Sequence, residues 1–428
     1  MKRTREGELK ADGEADSKEA VQPEKKKLRK DLKPAEVLSR LILRRIIKEN
    51  HASPIKQIAF NFTKLANSNL VATVGGNQAS VYDNEHGVAK NAGHLDLMIN
   101  YVNPGKKAEL NTCAWLGDLD PDDEGQDTDT YLAVGSNDSL IHIISIARCR
   151  VICVLQGHKG AVIDLAVHPQ RSGCLLSVGA DNTVRLWDCR NPYGEPEKSC
   201  LATFETSAIV ATFSPEGTRF VTGGSGGALR EWAIPGEYLD DEEEKTIGRT
   251  ITECKLLPKK HRVDVDCVRA VGGHYVSKDI EGKIVVWQAM DSEIVRTIRV
   301  PDCRLNSRSR FDVSEDGEFL CAGNSAGAVF IYDLHEGTLI SKLQSGRSKH
   351  PAHGCVFSRH CQLRAASRLP GLFEHVALVC AEPFIYRWSM PDETEETIAA
   401  AAKEEEEKAD EDAKDESAAE KENGEEDA

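Results

Sequence analysis

The stretch LQGHKGAVIDLAVHPQRSGCLLSVGADNTVRLWDCR, residues 155–190, decides the fold. It opens on Gly157-His158 and closes on Trp187-Asp188. Between them AVIDLAVH, CLLSVGA and VRLW alternate apolar and polar residues. Short alternating runs separated by turn residues predict consecutive antiparallel strands with one face buried. Residues 169–173, PQRSG, make the first turn and Ala180-Asp181-Asn182 the second, because these residue types suit tight turns.

A GH…WD unit of this length resembles one blade of a WD-repeat propeller. The resemblance implies a hydrogen-bonded series across the blade, which falls here on His158, Ser177, Asp181 and Trp187. In it the Asp caps the turn and accepts from the His, and the Ser links the His to the indole N–H. Such a buried polar chain stabilises only when every member is satisfied, so all four positions are needed together. A hydrolase triad of Ser177, His158 and Asp181 is set aside: the spacing fits the structural series and no nucleophile elbow is present.

The rest of the composition agrees with a large globular core, at 40% hydrophobic and 29% charged residues. Residues 392–428 hold 18 Asp or Glu and four Lys, a net of −14, so the rest of the chain carries only −2 of the total −16. A nearly neutral body argues against a general nucleic-acid surface. The 13 Cys form no CxxC pair, no apolar run is long enough to span a membrane, and no secretory leader opens the chain. Free thiols in cytosol or nucleus fit best.

In chain order, residues 1–34 read as a disordered polar tail carrying the basic cluster PEKKKLRK (Pro23 to Lys30), which suits a nuclear import signal. Residues 35–391 read as the propeller. The apolar residues from Leu38 to His51 suit a helix or a strand equally; Leu41 to Lys48 is assigned as the strand that closes the last blade, since an unclosed ring leaves two bare sheet edges. Seven repeats follow, ending at Tyr82, Ile143 or Ile144, Trp187, Trp232, Trp287, Tyr332 and Trp388. The fourth lacks the His and has Gly226 in place of the Asp, and GEYLDDEEEKTIGRTITECKLLPKKHR then interrupts the repeat. The expected fold is all-β, a seven-bladed WD-repeat β-propeller, with an eight-bladed ring as the alternative. Residues 392–428 read as an acidic disordered tail.

Several segments are more specific than a generic repeat. IAFNF (Ile58 to Phe62), LVATVGGN, NTCAW (Asn111 to Trp115), LLSVGADNTVRLW, VDCVR (Val265 to Arg269), VSKDIEGKIVVW and LISKLQSGRSK run in family order from about Ser39 to Met390. They resemble the Polycomb-group family of embryonic ectoderm development protein and extra sex combs. The resemblance implies a non-catalytic scaffold subunit of a Polycomb repressive complex 2-type histone H3 lysine methyltransferase, nuclear and repressive. Its partners are then the SET-domain methyltransferase, the other Polycomb subunits and a histone H3 tail. No membrane and no direct nucleic-acid contact are implied, and no cofactor. Members read trimethyl-lysine in an aromatic cage by cation–π attraction. Here Phe60 matches one cage ring, but Asn111, Ser307, Arg308 and His353 stand where further cage residues are expected. One ring beside a cation holds a trimethylammonium poorly, so the scaffold role carries over better than the reader role.

Four further motifs or likenesses point elsewhere. WDCR (Trp187 to Arg190) also resembles the WDxR box of cullin ubiquitin-ligase substrate receptors, and other chromatin or replication-origin propeller adaptors share weak versions of these repeats. His350, His353, Cys355, His360 and Cys361 are metal-ligand types, but their spacing along a strand splits them between two faces, so no metal is expected. GGSGG (Gly223 to Gly227) is followed by a strand, not a helix, and is no phosphate loop.

Overall fold

The three runs of the quoted stretch do form adjacent antiparallel strands, with Leu175 opposite Trp187 and Ser177 opposite Arg185, but the middle one is buried on both faces rather than one. The computed structural model describes residues 33–390, apart from 52, 64–66, 87–93, 106–107, 118, 120–128, 191–198, 240–246, 305–307 and 359–376. Residues 1–32 of the expected N-terminal tail and all of the expected C-terminal one thus fall outside the described residues, as do His360 and Cys361.

A short helix, α1 (Pro34–Ser39), comes first. Proline's fixed φ suits its first position, and the Glu36 carboxylate accepts from the Lys33 N–H (2.9 Å). Strand β1 (Ile42–Lys48) follows. The remaining strands then form in succession. Sheet one is β2 (Ile55–Phe60), β3 (Leu70–Gly75), β4 (Gln78–His86) and β5 (His94–Val102). Sheet two is β6 (Leu110–Leu116), β7 (Tyr131–Ser136), β8 (Ile141–Ser145) and β9 (Arg150–Leu155). Sheet three is β10 (Val162–Val167), β11 (Cys174–Gly179), β12 (Thr183–Asp188) and β13 (Cys200–Glu205). Sheet four has β14 (Ala208–Phe213), β15 (Arg219–Gly224) and β16 (Leu229–Ala233).

The insertion that interrupts the repeat is used twice. Its β17 (Arg249–Ile251) runs parallel to β13 and widens sheet three, and its β18 (Lys255–Leu256) is the outer strand of sheet four. Sheet five is β19 (Val265–Val271), β20 (His274–Asp279), β21 (Lys283–Gln288) and β22 (Ile294–Arg299). Sheet six is β23 (Asp312–Val313), β24 (Phe319–Gly323), β25 (Val329–Asp333) and β26 (Leu339–Leu343). Sheet seven is β27 (Ala352–Phe357), β28 (Ala377–Ala381) and β29 (Phe384–Ser389), completed by β1.

The first strand of each sheet packs on the first strand of the next: β2 on β6, then β10, β14, β19, β23 and β27, with β27 returning to β2. The chain is therefore an all-β WD-repeat propeller. β1 pairs antiparallel with β29, Ile42 opposite Ser389 and Lys48 opposite Phe384, so the last sheet borrows its outer strand from the start of the chain. This covers an edge that would otherwise offer unpaired N–H and C=O groups.

The core lies between successive sheets. Middle strands such as β3, β7 and β11 are buried at every position, because both their faces are covered and no polar alternation is needed. Trp187, Trp232 and Trp287 are all at most 1% exposed.

Candidate functional site

Sheet three contains the expected polar series. The Trp187 indole N–H donates to Ser177 Oγ (2.7 Å). Ser177 in turn donates to His158 Nε2 (2.6 Å), and His158 Nδ1 donates to Asp181 (3.1 Å to either carboxylate oxygen). The Thr183 hydroxyl (2.8 Å) and the Lys159 N–H (2.8 Å) also donate to Asp181. Burial, the largest influence on His158, lowers its pKa and keeps the ring neutral, as this donor order requires. Burial opposes the Asp181 charge, but the hydrogen bonds from Lys159, Thr183 and His158 prevail and hold its pKa below the usual carboxylate value. Every member is satisfied, so the series ties the strand-to-strand loop at His158 to the turn at Asp181. It is structural, not catalytic.

Sheet five holds a second complete series: Trp287 donates to Ser277 Oγ (3.1 Å), Ser277 to His261 Nε2 (2.8 Å), and His261 Nδ1 to Asp279 (2.9 Å). Sequence reading missed it. The available signal was the Ser-to-Trp spacing of ten, shared with Ser177 and Trp187.

The candidate binding surface is one mouth of the central channel. In six sheets the register shifts one residue after the inner strand begins, between Ile55 and Gln57, Leu110 and Thr112, Val162 and Asp164, Ala208 and Val210, Val265 and Cys267, and Ala352 and Gly354. The bulged residues are Lys56, Asn111, Ile163, Ile209, Asp266 and His353. A bulge re-aims one side chain and leaves it outside the ladder. The six therefore gather where the inner strands begin, on what we term the leading face.

Lys56 donates to Glu109 (2.8 Å) and to Asn111 Oδ1 (2.8 Å), and Asn111 Nδ2 donates to the Val162 carbonyl (3.0 Å). The hydrogen bond from Lys56 and its charge lower the Glu109 pKa. His353 Nδ1 donates to the carbonyl of exposed Arg308 (3.2 Å). Below them Arg310 donates to Asp164 (2.6 Å), joining sheets six and three, which are not neighbours, so the ion pair spans the channel. Asp266 is held by buried Lys278 (2.8 Å) and by Ser309 N–H (3.2 Å).

Of the predicted cage residues, Asn111, Arg308 and His353 meet at this mouth. Ser307 lies outside the described residues. Phe60 departs from the expectation: it is 0% exposed and packs with Val71, Tyr82, Val356 and Ile385. It sits four residues along β2 from Lys56, about 13 Å at strand rise. The mouth residue of β2 is Lys56, which sequence reading missed. Aligning IKQIAF with LNTCAW matches Lys56 to Asn111 and Phe60 to Trp115, a core aromatic. None of the six bulged positions carries Phe, Tyr or Trp.

Arg190 of the WDCR segment turns back on its own motif, donating to both oxygens of Asp188 (2.9 and 2.6 Å). Among the described residues no group of three or more His, Cys, Asp or Glu is placed to hold a metal ion.

Comparison with known proteins follows the same lines. Residues 149–188 match the family described as WD domain, G-beta repeat. The chain is 24% identical over 381 residues to Polycomb protein esc of Drosophila melanogaster, covering 81% of this chain and 84% of that protein. The chain is a distant relative of the Polycomb proteins. Polycomb group protein FIE2 of Zea mays is 23% identical over 324 residues, covering 70% of this chain and 81% of that one. A solved chain from the Chaetomium thermophilum Polycomb Repressive Complex 2 bound to GSK126 superposes with a TM-score of 0.66 at 14% identity, covering 82% of this chain and 98% of that chain. The likeness to the Polycomb relatives thus extends far beyond the single repeat matched by the general WD family.

Proposed function

We propose that this chain is the non-catalytic WD-repeat scaffold of a Polycomb repressive complex 2-type histone H3 lysine methyltransferase, acting in the nucleus in transcriptional repression. One observation carries the reading: similarity to Polycomb protein esc runs over 381 residues and most of both chains, where a generic repeat would match over one blade. The seven sheets are read as seven blades of one closed ring, flanked by a basic N-terminal tail and an acidic C-terminal one. Its partners are the SET-domain subunit and the other Polycomb subunits.

The mouth bears on the histone contact. A trimethylammonium needs electron-rich rings around it, and Lys56, Asn111, Arg308 and His353 supply cations and amides instead. A histone H3 tail, where engaged, is then held by other means than cation–π reading. The cullin reading needs Arg190 to reach an adaptor, and that guanidinium is committed to Asp188.

The test is affinity purification of the tagged chain from its own cells with identification of co-purifying proteins by mass spectrometry. A SET-domain methyltransferase is expected. A cullin adaptor or origin subunits without a methyltransferase overturns the proposal.

A further inference from the structure

We propose that the acidic C-terminal tail, residues 392–428, docks in a crevice on the leading face, between the loop that leads into sheet six and the loop that leaves it. The crevice holds about 710 Å³ and is lined by Asp302, Cys303, Arg304, Ser345, Ser348 and Lys349, among others. Its walls are built rather than loose. Arg304 N–H donates to Ser325 Oγ (2.9 Å), Ser325 N–H to the Asp302 carbonyl (3.3 Å), and buried Ser348 donates to the Gly327 carbonyl (3.3 Å).

The charge around it is one-sided. Arg304, Arg308, Arg347 and Lys349 are exposed and make no salt bridge among the described residues. Of the carboxylates near lining Cys303, Asp266 is engaged by Lys278 (2.8 Å) and Asp279 by His261 (2.9 Å), while Asp302 lines the crevice itself. Arg304 and Lys349 line the crevice, Arg347 lies in the same loop as Lys349, and Arg308 follows Arg304 by four residues, so a polyanionic peptide can meet several cations at once. Single exposed pairs are worth little, so the ligand has to be multiply charged.

The chain itself supplies such a peptide. Residues 392–428 carry 18 carboxylates and four lysines. They follow Met390, just past the end of β29 in sheet seven, the sheet that packs next to sheet six. β27 starts on the leading face, β28 returns and β29 runs back again, so the tail leaves from the opposite face. It must pass a sheet about 20 Å deep, the length of a six-residue strand. A random coil of this length spans about 35 Å on average, and over 100 Å fully extended. Tethering also supplies a local concentration on the order of millimolar, enough for a weak, screened attraction to be occupied most of the time. Docked there, the tail covers the crevice and competes with acidic partners for the leading face.

Zero-length carbodiimide cross-linking of the full-length chain tests this, because it couples a carboxylate only to an amine in contact with it. Intramolecular cross-links from tail Asp and Glu to Lys349 are expected, independent of protein concentration and suppressed by raising the salt toward 1 M, where the screening length is about 3 Å. The double variant Arg304→Glu and Arg347→Glu should reduce the Lys349 cross-link at least about fivefold, the loss that two exposed ion pairs produce. A tail variant, Glu404–Glu407 all changed to Gln, should reduce it as well and leaves every sheet untouched. Cross-links that go instead to Lys25–Lys30, spread evenly over surface lysines, or persist in both variants overturn the proposal.

Discussion

Sheets three and four are neighbours whose first three strands follow the same order, yet they are held together differently. In sheet three, Trp187 is anchored through Ser177 and His158 to Asp181 in the turn. In sheet four the corresponding indole, Trp232, donates to Thr222 Oγ1 (3.1 Å), whose hydroxyl reaches the Arg230 carbonyl (3.5 Å), and the series stops. Gly226 occupies the turn at φ +63°, and its N–H donates to Asp264 of the following loop (2.9 Å). Aromatic packing takes over: Phe220 stacks on Trp232 at 6.0 Å and meets Phe204 edge-on at 4.8 Å. The blade is thus specified by alternation and core packing. The polar series adds a tie between loop and turn that sheet four does without.

The strongest way to test that contrast is Trp187→Ala. The side chain is 0% exposed, and removing it opens a cavity and strands Ser177, at a cost of about 3–5 kcal/mol. A denaturant midpoint unchanged from wild type would refute the assignment. Next comes a matched pair. Asp181→Ala leaves His158 Nδ1, Lys159 N–H and the Thr183 hydroxyl without their acceptor, at about 2–3 kcal/mol. Thr222→Val removes a lone acceptor from Trp232 while keeping shape, at about 1 kcal/mol. Equal losses in chemical denaturation would mean that the complete series contributes no more than its truncated counterpart.

Much of this was legible in the residues. The runs VIDLAV, CLLSVG and TVRLWD, separated by turn residues, announce three strands, and the four polar positions of sheet three fall into place because their spacing is regular. The second series was not legible: His261 follows an irregular insertion, is preceded by Lys260 rather than Gly, and Asp279 lies two residues after Ser277 where Asp181 lies four after Ser177. Nor did the insertion betray β17 and β18, which lack alternation and are ordered by the edges they meet. The mouth was misread at Phe60 because that ring, four residues along β2 from the bulge, belongs to the core. Only the pairing of Ile55 with Gly75 and Gln57 with Val74 reveals that Lys56 is the odd one out.

The finest distinction between the two sheets is their response to acid. Burial keeps His158 neutral in the folded chain, whereas an unfolded histidine takes up a proton near pH 6.5. Its folded pKa is thus depressed, so between the two values the unfolded state binds more protons, and stability rises with pH there. The contribution is complete above about pH 6.5 and is lost as the pH falls below it. The lowered pKa of Asp181 acts in the same direction but only near and below the ordinary carboxylate range. His142 and His168 are also depressed by burial, so the wild-type slope is a sum, and His158 must be isolated by substitution. His158→Gln should be less stable at about pH 7.5 and yet lose less on going to about pH 5.5 than wild type does. Thr222→Val, in a sheet whose series contains no histidine, should keep the full wild-type slope. If His158→Gln also kept that slope, the neutral imidazole would not be what sheet three defends on folding, and the two sheets would differ only in packing.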